Sequence, residues 1–460
     1  MELKNLVICV SSLLFTACGG GGGSSGTGQT DPEVVKPPEI TNTVPVSVIE
    51  TSVEKVLLTE LFDLSGLKSS DKDGDTLSYQ WSVVSKPASS QIETSLSNSG
   101  QFSFVPDVVG KYVLSLTVSD GKATNTTEKS VEVEDNPNII ALSFRPSLAS
   151  YSSNLDKIIA IDDQNNILNI IDRHSSEVQK VVLSDTAQVL KLSPNGKFAI
   201  VIHPNHISYI DVTTAQLLKA YPNEGPYTDG FITDNSIAYF IGKENGQWND
   251  KPLVKIDLKS GQQDTQLKNN YYNFYSTLKG IYSEKNNQIF FTNFGSSPRD
   301  IFQITIDPIT GDAVSSSDSP YHGDYSIGDR LFLNEQQDYI YTSIGTYFYA
   351  KNLNYGGKIK LDENQNIQSF VQDPVTNNLN ILTVEQDMWS NNRVKKLNAA
   401  YAQYSGYGYG VVNKKAFPVI SGLQSYGLNL FKDNTGKLFS IVQIGSAEPY
   451  TANLKYFVVK

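Results

Sequence analysis

The chain has 460 residues, and its 48 Asp and Glu outnumber its 37 Lys and Arg, which gives a formal net charge of −11. Phosphate binding needs a concentrated basic surface, and Lys and Arg are scattered here, so the composition argues against a nucleic-acid partner. The length is enough for two or more hydrophobic cores. The two cysteines, Cys9 and Cys18, both lie near the N-terminus, so the folded part is predicted to have no disulfide and no thiol ligand.

The first residues have the pattern of an export signal. Lys4 gives a weakly positive start, residues 6–15 form a short apolar run, and the small residues Thr16 and Ala17 come directly before Cys18. The run is too short for a permanent membrane helix, which needs about 20 apolar residues. Residues 1–17 are therefore predicted to be a signal peptide that is removed after export.

The segment Leu14-Phe15-Thr16-Ala17-Cys18 resembles the lipobox of bacterial lipoproteins, apart from Phe15, where the family usually has Leu. The resemblance implies that Cys18 becomes the new N-terminus and carries diacylglycerol and palmitate, which hold the protein to a membrane. An ordinary secretory signal with an incidental cysteine is the alternative. No Asp follows Cys18, which in this family favours the outer membrane, with the folded part outside the cytoplasm.

A tether is predicted after the lipid site. Residues 19–28 are almost pure Gly and Ser, and such a sequence behaves as a flexible coil. Pro32, Pro37 and Pro38 then stiffen the chain toward an extended form. We therefore expect residues 18–44 to connect the membrane to the first folded domain.

Residues 45–135 have the alternation of half-buried β-strands. Apolar residues recur at every second position from Leu77 to Val83 and again from Tyr112 to Val118. Turn signals such as Asp73-Gly74 separate these runs. A stretch of this length and pattern suits one β-sandwich.

Several short segments in this region resemble immunoglobulin-like domains of the PKD and cadherin-like kind. The resemblance implies that Trp81 fills the core between two sheets. It also implies that Tyr112 forms a tyrosine corner, in which the hydroxyl bonds back to the backbone. The matching segments are Ser70-Asp71-Lys72-Asp73-Gly74-Asp75, Leu77-Ser78-Tyr79-Gln80-Trp81, Phe104-Val105-Pro106-Asp107, Gly110-Lys111-Tyr112 and Val118-Ser119-Asp120-Gly121.

The first of these segments is also a candidate metal site. Asp71, Asp73 and Asp75 offer the oxygen ligands that Ca²⁺ prefers. An EF-hand loop that started at Asp71 would need a bidentate Glu at its twelfth position, but that position is Ser82. The three carboxylates are therefore either a calcium site or a solvated turn in which Asp and Gly set the backbone.

From residue 139 to residue 460 a strand-rich unit recurs. One clear copy has four short strands, A to D, over residues 189–221. An Ile-Asp pair marks the end of strand C, and weaker pairs continue the series at intervals of 39 to 50 residues. Four strands at such a period predict the blades of a β-propeller, here seven of them. The markers are Ile171-Asp172, Ile210-Asp211, Ile256-Asp257, Ile306-Asp307, Lys351-Asn352 and Leu397-Asn398.

The repeat resembles blades of the WD-repeat and surface YVTN-type propellers, although the Gly-His and Trp-Asp signatures of the WD family are absent. This resemblance implies the architecture only. The seventh unit ends at Lys460 after its third strand, and residues 139–144 form a spare strand before the first unit. We expect residues 139–144 to complete blade seven, because ring closure removes an unpaired edge. The predicted fold class is all-β, with an Ig-like sandwich followed by a seven-bladed propeller.

The loops predict a working face on the propeller. In a four-stranded blade, the A–B and C–D turns lie on one face, and the B–C and D–A loops lie on the other. Here the first set is short and polar, whereas the second is long and aromatic. Aromatic side chains with one wet edge suit binding surfaces, although they also pack beneath their own loops. The candidate ligand-binding residues on this face are Trp248, Trp389, Tyr272, Tyr407 and Tyr450.

Catalytic signals are weak. His203 and His206 could hold a metal and His322 beside Asp324 could form an acid–base pair, but solvated loop positions explain these histidines and His174 as well. No nucleophile elbow, phosphate loop or zinc spacing is present in the sequence. The sequence favours a non-enzymatic surface protein that binds a glycan or a protein. A propeller hydrolase or lyase on extracellular polymer and an envelope-assembly scaffold are the alternatives.

Overall fold

A computed structural model describes residues 41–460, apart from Ser52, Glu54, Pro226, residues 243–252, 267–276, 295–297 and 387–393, Tyr450 and Ala452. The described residues form strands and turns without a helix, and so include no helix long and apolar enough to cross a membrane. The predicted signal peptide, Cys18 and most of the tether lie outside this part of the chain.

Seven strands form the N-terminal sandwich. They are β1 (Lys55–Leu57), β2 (Phe62–Ser65), β3 (Ser78–Ser85), β4 (Ser95–Ser97), β5 (Gln101–Phe104), β6 (Gly110–Ser119) and β7 (Thr124–Glu134). One sheet has the order β1-β7-β6-β3-β4, and the other consists of β2 and β5. The pair β1 and β7 is parallel, and the other pairs are antiparallel.

The sandwich core contains the two aromatic residues that the sequence assigned to it. Trp81 is fully buried, and its Nε1 donates a hydrogen bond to the carbonyl of Ser99 at 2.9 Å. Tyr112 is also fully buried; its hydroxyl oxygen accepts a hydrogen bond from the Val108 N–H at 3.2 Å and lies 2.8 Å from Asp107 Oδ1 and 3.1 Å from the Val108 carbonyl. A buried tyrosine that bonds back to the backbone is the predicted tyrosine corner, so both core predictions are confirmed.

Each later sheet is one blade of the propeller, and its strands follow chain order except in blade seven. Blade one has β9 (Pro146–Ser152), β10 (Lys157–Asp162), β11 (Ile167–Asp172) and β12 (Val178–Val182). Blade two has β13 (Val189–Leu192), β14 (Phe198–Ile202), β15 (His206–Asp211) and β16 (Gln216–Pro222). Blade three has β17 (Tyr227–Ile232), β18 (Ile237–Gly242), β19 (Leu253–Asp257) and β20 (Gln263–Gln266). Blade four has β21 (Thr277–Ser283), β22 (Gln288–Phe294), β23 (Ile301–Ile306) and β24 (Ala313–Asp318).

Three further sheets follow, which makes seven between residues 139 and 460 in the described part of the chain. Blade five has β25 (Leu331–Leu333), β26 (Tyr339–Thr342), β27 (Thr346–Tyr349) and β28 (Tyr355–Lys358). Blade six has β29 (Gln365–Gln372), β30 (Leu379–Gln386), β31 (Val394–Leu397), β32 (Ala400–Tyr404) and β33 (Val411–Ala416). Blade seven has β34 (Val419–Ile420), β35 (Leu423–Lys432), β36 (Leu438–Ile444), β37 (Lys455–Val459) and β8 (Ile139–Leu142).

Strand β8 precedes the other propeller strands in the sequence but lies at the outer edge of the last blade. It pairs antiparallel with β37, with Ile139 opposite Val459 and Leu142 opposite Tyr456. The start of the propeller therefore supplies strand D of blade seven. This confirms the closure predicted for residues 139–144.

Apolar clusters between the blades hold the sheets together. Each of seven clusters combines buried residues from neighbouring blades. Ile159 of blade one shares a cluster with Val201 of blade two, and Ile158 of blade one shares another with Ile441 of blade seven. Blade one therefore packs against blades on both sides, and the sheets form a closed propeller.

The recurring Ile-Asp pairs have a physical cause. The Ile is buried between blades in all four pairs, and the Asp caps the C–D turn. Asp211 Oδ1, for example, accepts hydrogen bonds from the N–H groups of Thr213 at 2.7 Å and Thr214 at 3.2 Å. The same contacts, to the residues two and three positions on, are made by Asp172, Asp257 and Asp307.

Blade six departs from the repeat. Its third strand is split, since β31 pairs with one end of β30 through Leu397 and Val384, and β32 pairs with the other end through Ala402 and Ile381. Strand C therefore ends at Tyr404, and the predicted marker at Leu397-Asn398 was wrong. The C–D turn of this blade is formed by residues 405–410, which connect β32 to β33.

Candidate functional site

The strand order defines two faces of the propeller. We call the side of the B–C and D–A connections the loop face and the side of the A–B and C–D connections the turn face. Four of the five predicted ligand-binding residues, Trp248, Trp389, Tyr272 and Tyr450, lie outside the described residues. Their position on the loop face therefore stays a prediction.

The fifth, Tyr407, lies on the turn face, contrary to the prediction. It is 85% exposed in the C–D turn of blade six, and the neighbouring Gly406 packs against the carbonyl of Asn377 in the A–B turn of the same blade. The error follows from the split strand C, which continues past Asn398 and moves the Gly-rich loop from a D–A to a C–D connection.

Two aromatic residues in the D–A loop before blade five, Tyr321 and Tyr325, pack inward. The ring of Tyr325 stacks on Tyr355 with centroids 3.8 Å apart, and Tyr321 meets Tyr325 edge-on at 4.8 Å. Both join the apolar cluster between blades four and five. These tyrosines therefore stabilise their own loop instead of forming an exposed rim.

A polar pocket of about 520 Å³ opens on the loop face beside the D–A connection between blades five and six. Eight of its ten lining residues have charged or amide side chains, so both hydrogen-bond donors and acceptors line it. Ile344 and Leu361 are the apolar exceptions. The polar members are Lys358, Lys360, Asp362, Glu363, Asn364, Gln365, Asn366 and Gln386.

Below this pocket, an ion pair and two amides join the inner strands of blades five and six. Arg330 donates to Gln368 Oε1 at 2.6 Å and to Gln386 Oε1 at 3.3 Å. Gln386 Nε2 in turn donates to Asp329 Oδ2 at 3.3 Å, and Ser343 donates to Asp329 Oδ1 at 2.7 Å. The pocket residue Gln386 is therefore held in place by a buried polar network.

The charges of this network are matched. Burial lowers the pKa of Arg330. Burial also opposes ionisation of Asp329, but the positive charge of Arg330 and the hydrogen bond from Ser343 outweigh it and keep the pKa of Asp329 below its ordinary value. The pair is therefore ionised, and it acts as a fixed support for the pocket.

A second polar link ties blades two, three and four. Lys191 Nζ lies 3.1 Å from Asp229 Oδ1 and donates to the carbonyl of Gly280 at 3.2 Å, while the Gly280 N–H donates to Asp229 Oδ2 at 2.9 Å. Sequence reasoning missed both links. A signal was available, since Lys191 is the one charged residue in the inner strand Val189–Leu192.

The three aspartates of the predicted calcium site set a turn. Asp71 Oδ1 accepts hydrogen bonds from the N–H groups of Asp73 at 2.8 Å and Asp75 at 3.2 Å. Asp73 accepts from the Thr43 N–H at 2.6 Å, and Asp75 pairs with Lys122 at 2.8 Å. Their oxygens do not form a group of three converging ligands. Asp71 Oδ2 is buried and accepts no hydrogen bond from the described residues, and the calcium site stays a prediction.

Three histidines have structural partners. His203 is fully buried between the carbonyl of Thr186 and the hydroxyl of Ser208, both at 3.0 Å, and His206 stacks on it with centroids 4.0 Å apart. His174 lies 2.6 Å from Asp156. Burial lowers the pKa of His203, and both of its ring nitrogens are engaged by protein partners.

The fourth histidine has a different partner from the one expected. His322 Nδ1 lies 3.3 Å from Asp300 Oδ2, and the two form a group with Asp318 rather than a pair with Asp324. Asp300 was not a sequence candidate, because it lies about twenty residues earlier in the chain and only the fold of blade four joins the two segments. The group lies on the loop face.

Comparison with known proteins agrees with the sandwich. Residues 53–133 match the family model for a PKD domain. This match covers the first folded domain and leaves the propeller outside it. No curated protein sequence matches the chain closely enough to count as a relative.

Solved structures with propeller folds are similar to the chain at a coarse level. The β-propeller domain of Cps50 (Swd1) from Myceliophteria thermophila has 11% identity and a TM-score of 0.48, with 70% of this chain and 98% of that chain covered. A quinonprotein alcohol dehydrogenase-like protein from Bacteroides thetaiotaomicron has 12% identity and a TM-score of 0.44, with 79% and 94% covered. Such values carry no inference about activity, and the propeller assignment rests on the strand order.

Proposed function

We propose that the chain is a lipid-anchored surface protein of the outer membrane whose seven-bladed propeller binds a glycan without catalysing a reaction. In this proposal, Cys18 carries the lipid, residues 18–44 form the tether and the sandwich acts as a spacer. The polar pocket between blades five and six is the observation that carries the proposal.

The chemistry of the pocket favours a hydroxyl-rich ligand. Sugar hydroxyls both donate and accept hydrogen bonds, and the amides and charged groups of the pocket offer both kinds of partner. Gln386 is fixed from below by the Arg330–Asp329 network, so that part of the pocket is ordered before a ligand arrives. A preformed site spares the entropy of ordering the side chains upon binding.

A glycan array tests the proposal. The soluble chain, defined as residues 18–460 with Cys18→Ser, should bind a restricted set of glycans. Binding of none of them, together with specific capture of one envelope protein through the loop face, would favour the scaffold alternative instead. Turnover of a bound polymer, detected as new reducing ends, would contradict the non-enzymatic assignment.

A further inference from the structure

Three metal-ligating side chains meet on the loop face of blade four. Asp300 directly precedes β23, which is strand C, and Asp318 ends β24, which is strand D, so antiparallel pairing brings them to the same edge. His322 follows in the D–A loop. One ligand atom from each of the three lies within 4.8 Å of the others, and among the described residues no other group of His, Cys, Asp and Glu does this.

Asp300 is buried and held in one orientation. Its side chain is 6% exposed, and its Oδ1 accepts hydrogen bonds from the Ser319 hydroxyl and from the Ile301 N–H at 2.8 Å. Its own N–H donates to Asn293 Oδ1 at 2.6 Å. Oδ2 accepts no hydrogen bond from the described residues and faces His322 Nδ1 at 3.3 Å. A buried carboxylate oxygen is therefore aimed at the other two ligands.

The electrostatics of the group call for a cation. Asp300 is buried, and a carboxylate oxygen of Asp318 lies within 4.8 Å of it. Two carboxylates near each other, one of them buried, oppose each other's ionisation unless a positive charge lies between them. The side chain of His322 is largely exposed, and its Nδ1 faces Asp300.

We propose that Asp300, Asp318 and His322 bind a divalent transition-metal ion such as Zn²⁺. One imidazole nitrogen with carboxylate oxygens suits zinc and its neighbours, whereas Ca²⁺ prefers oxygen alone. Metal–ligand bonds of about 2.1 Å in a tetrahedral site place the ligand atoms roughly 3.4 Å apart, so the exposed Asp318 and His322 must adjust their positions around Asp300 when a metal binds. Three protein ligands leave one or more positions open to water or to an oxygen of a bound molecule.

Calorimetric titration of the soluble chain with Zn²⁺ alone tests the site. We expect one ion per chain, and Co²⁺ in its place should give the visible absorption of a low-symmetry nitrogen and oxygen site. Asp318→Asn and His322→Ala should each weaken binding by about tenfold or more, because each removes a direct ligand, and loss of an outer partner alone costs about 10-fold to 100-fold.

Asp324→Asn is the matched control, since Asp324 is an exposed carboxylate in the same loop but outside the group. It should bind Zn²⁺ like the unchanged protein. All variants should have the same melting temperature without metal, because the substituted side chains are exposed. Absence of binding up to millimolar Zn²⁺, or binding that neither ligand variant weakens, would overturn the proposal. Glycan binding at the separate pocket has no bearing on this result.

Discussion

The aspartates that end strand C show how a single side chain produces a visible repeat. Each one accepts two backbone N–H groups of the following turn, and the Ile before it fills the space between blades. The first position needs an apolar side chain that packs between blades, and the second needs a carboxylate that caps the turn. This dipeptide therefore recurs while the rest of the blade varies. The marker could therefore be read from the sequence wherever strand C is regular.

Loss of one such cap should cost a measurable part of the stability. Asp211→Ala removes the acceptor for Thr213 and Thr214, and we expect the free energy of unfolding to fall by about 1 kcal/mol, as for lost helix caps. Urea denaturation measures the change. The exposed Asp324, which caps nothing among the described residues, provides the control, and Asp324→Ala should stay within about 0.5 kcal/mol. An equal loss in both variants would contradict the capping role.

The aspartates of these turns should make the free energy of unfolding depend on pH in the acid range. Hydrogen bonds from backbone N–H groups lower the folded-state pKa of Asp172 and Asp307. Their contribution is therefore present above the unfolded pKa of about 3.9 and is lost as the pH falls through the lower folded value. When the pH is lowered from 5 into the acid range, the free energy of unfolding should fall less for the double variant Asp172→Asn and Asp307→Asn than for the unchanged protein. Identical pH profiles from urea denaturation would refute this.

The predicted lipidation of Cys18 can be tested by substitution and by mass spectrometry. If it carries the lipid, Cys18→Ser should move the protein from the membrane fraction to the soluble fraction. Mass spectrometry of the mature N-terminus should then show diacylglycerol and an acyl chain on the unchanged protein and none on the variant. Retention of the Cys18→Ser protein in the membrane, or an unmodified Cys18, would leave the secretory-signal alternative.

Whole strands could be predicted from the sequence where local signals agree. They were missed where a contact between distant residues determines the strand pairing. The alternation around Trp81 and the spare strand at residues 139–144 both follow from the sequence pattern. The split strand C of blade six could not be predicted from the sequence pattern. It depends on the pairing of Ala402 with Ile381, and no local sequence signal indicates that pairing. The displaced Tyr407 is the direct consequence.

A buried arginine forms ion pairs at the contact between blades seven and one, and its contribution to stability can be tested. Arg173 of blade one is 7% exposed and donates to Asp156 Oδ1 and to Asp433 Oδ2 of blade seven, both at 2.7 Å. Arg173→Met would leave two acidic groups without their cation, and we expect a loss of about 3–5 kcal/mol in the free energy of unfolding.

The partly exposed pair of Arg145 and Asp163 is the matched control for this seam. Arg145→Met should cost about 1 kcal/mol or less, because solvent screens the pair. Equal effects of the two substitutions on urea denaturation would show that burial at the seam is unimportant.

Strand β8 should be needed for a stable ring. A chain that begins at Ser147 lacks it and exposes the edge of β37, including the buried Tyr456 and Val458. Compared with a chain that begins at Asn136, it should melt at a lower temperature or aggregate, because an open strand edge pairs with other chains. Equal melting temperatures and light scattering for the two chains would mean that closure does not depend on β8.

At the scale of the whole molecule, the sequence predicted two domains and a working face, but not the site on that face. Aromatic residues such as Tyr325 are conspicuous in a sequence, yet this one is used for packing. The pocket joins Ile344 and residues of the segment 358–366 to Gln386, and the metal group joins Asp300 to Asp318 and His322. Strand pairing within blades and packing between neighbouring blades bring these residues together, and no spacing rule records that.

The central claim, that the loop-face pocket binds a glycan, is tested most directly by comparing two variants against a glycan found on the array. Lys360→Ala with Glu363→Ala removes two exposed pocket side chains, whereas Tyr407→Ala removes an exposed side chain on the turn face. The pocket variant should bind at least about tenfold more weakly, a change of about 1.4 kcal/mol, with an unchanged melting temperature. The turn-face variant should bind like the unchanged protein. Equal affinity of the pocket variant and the unchanged protein would contradict the account.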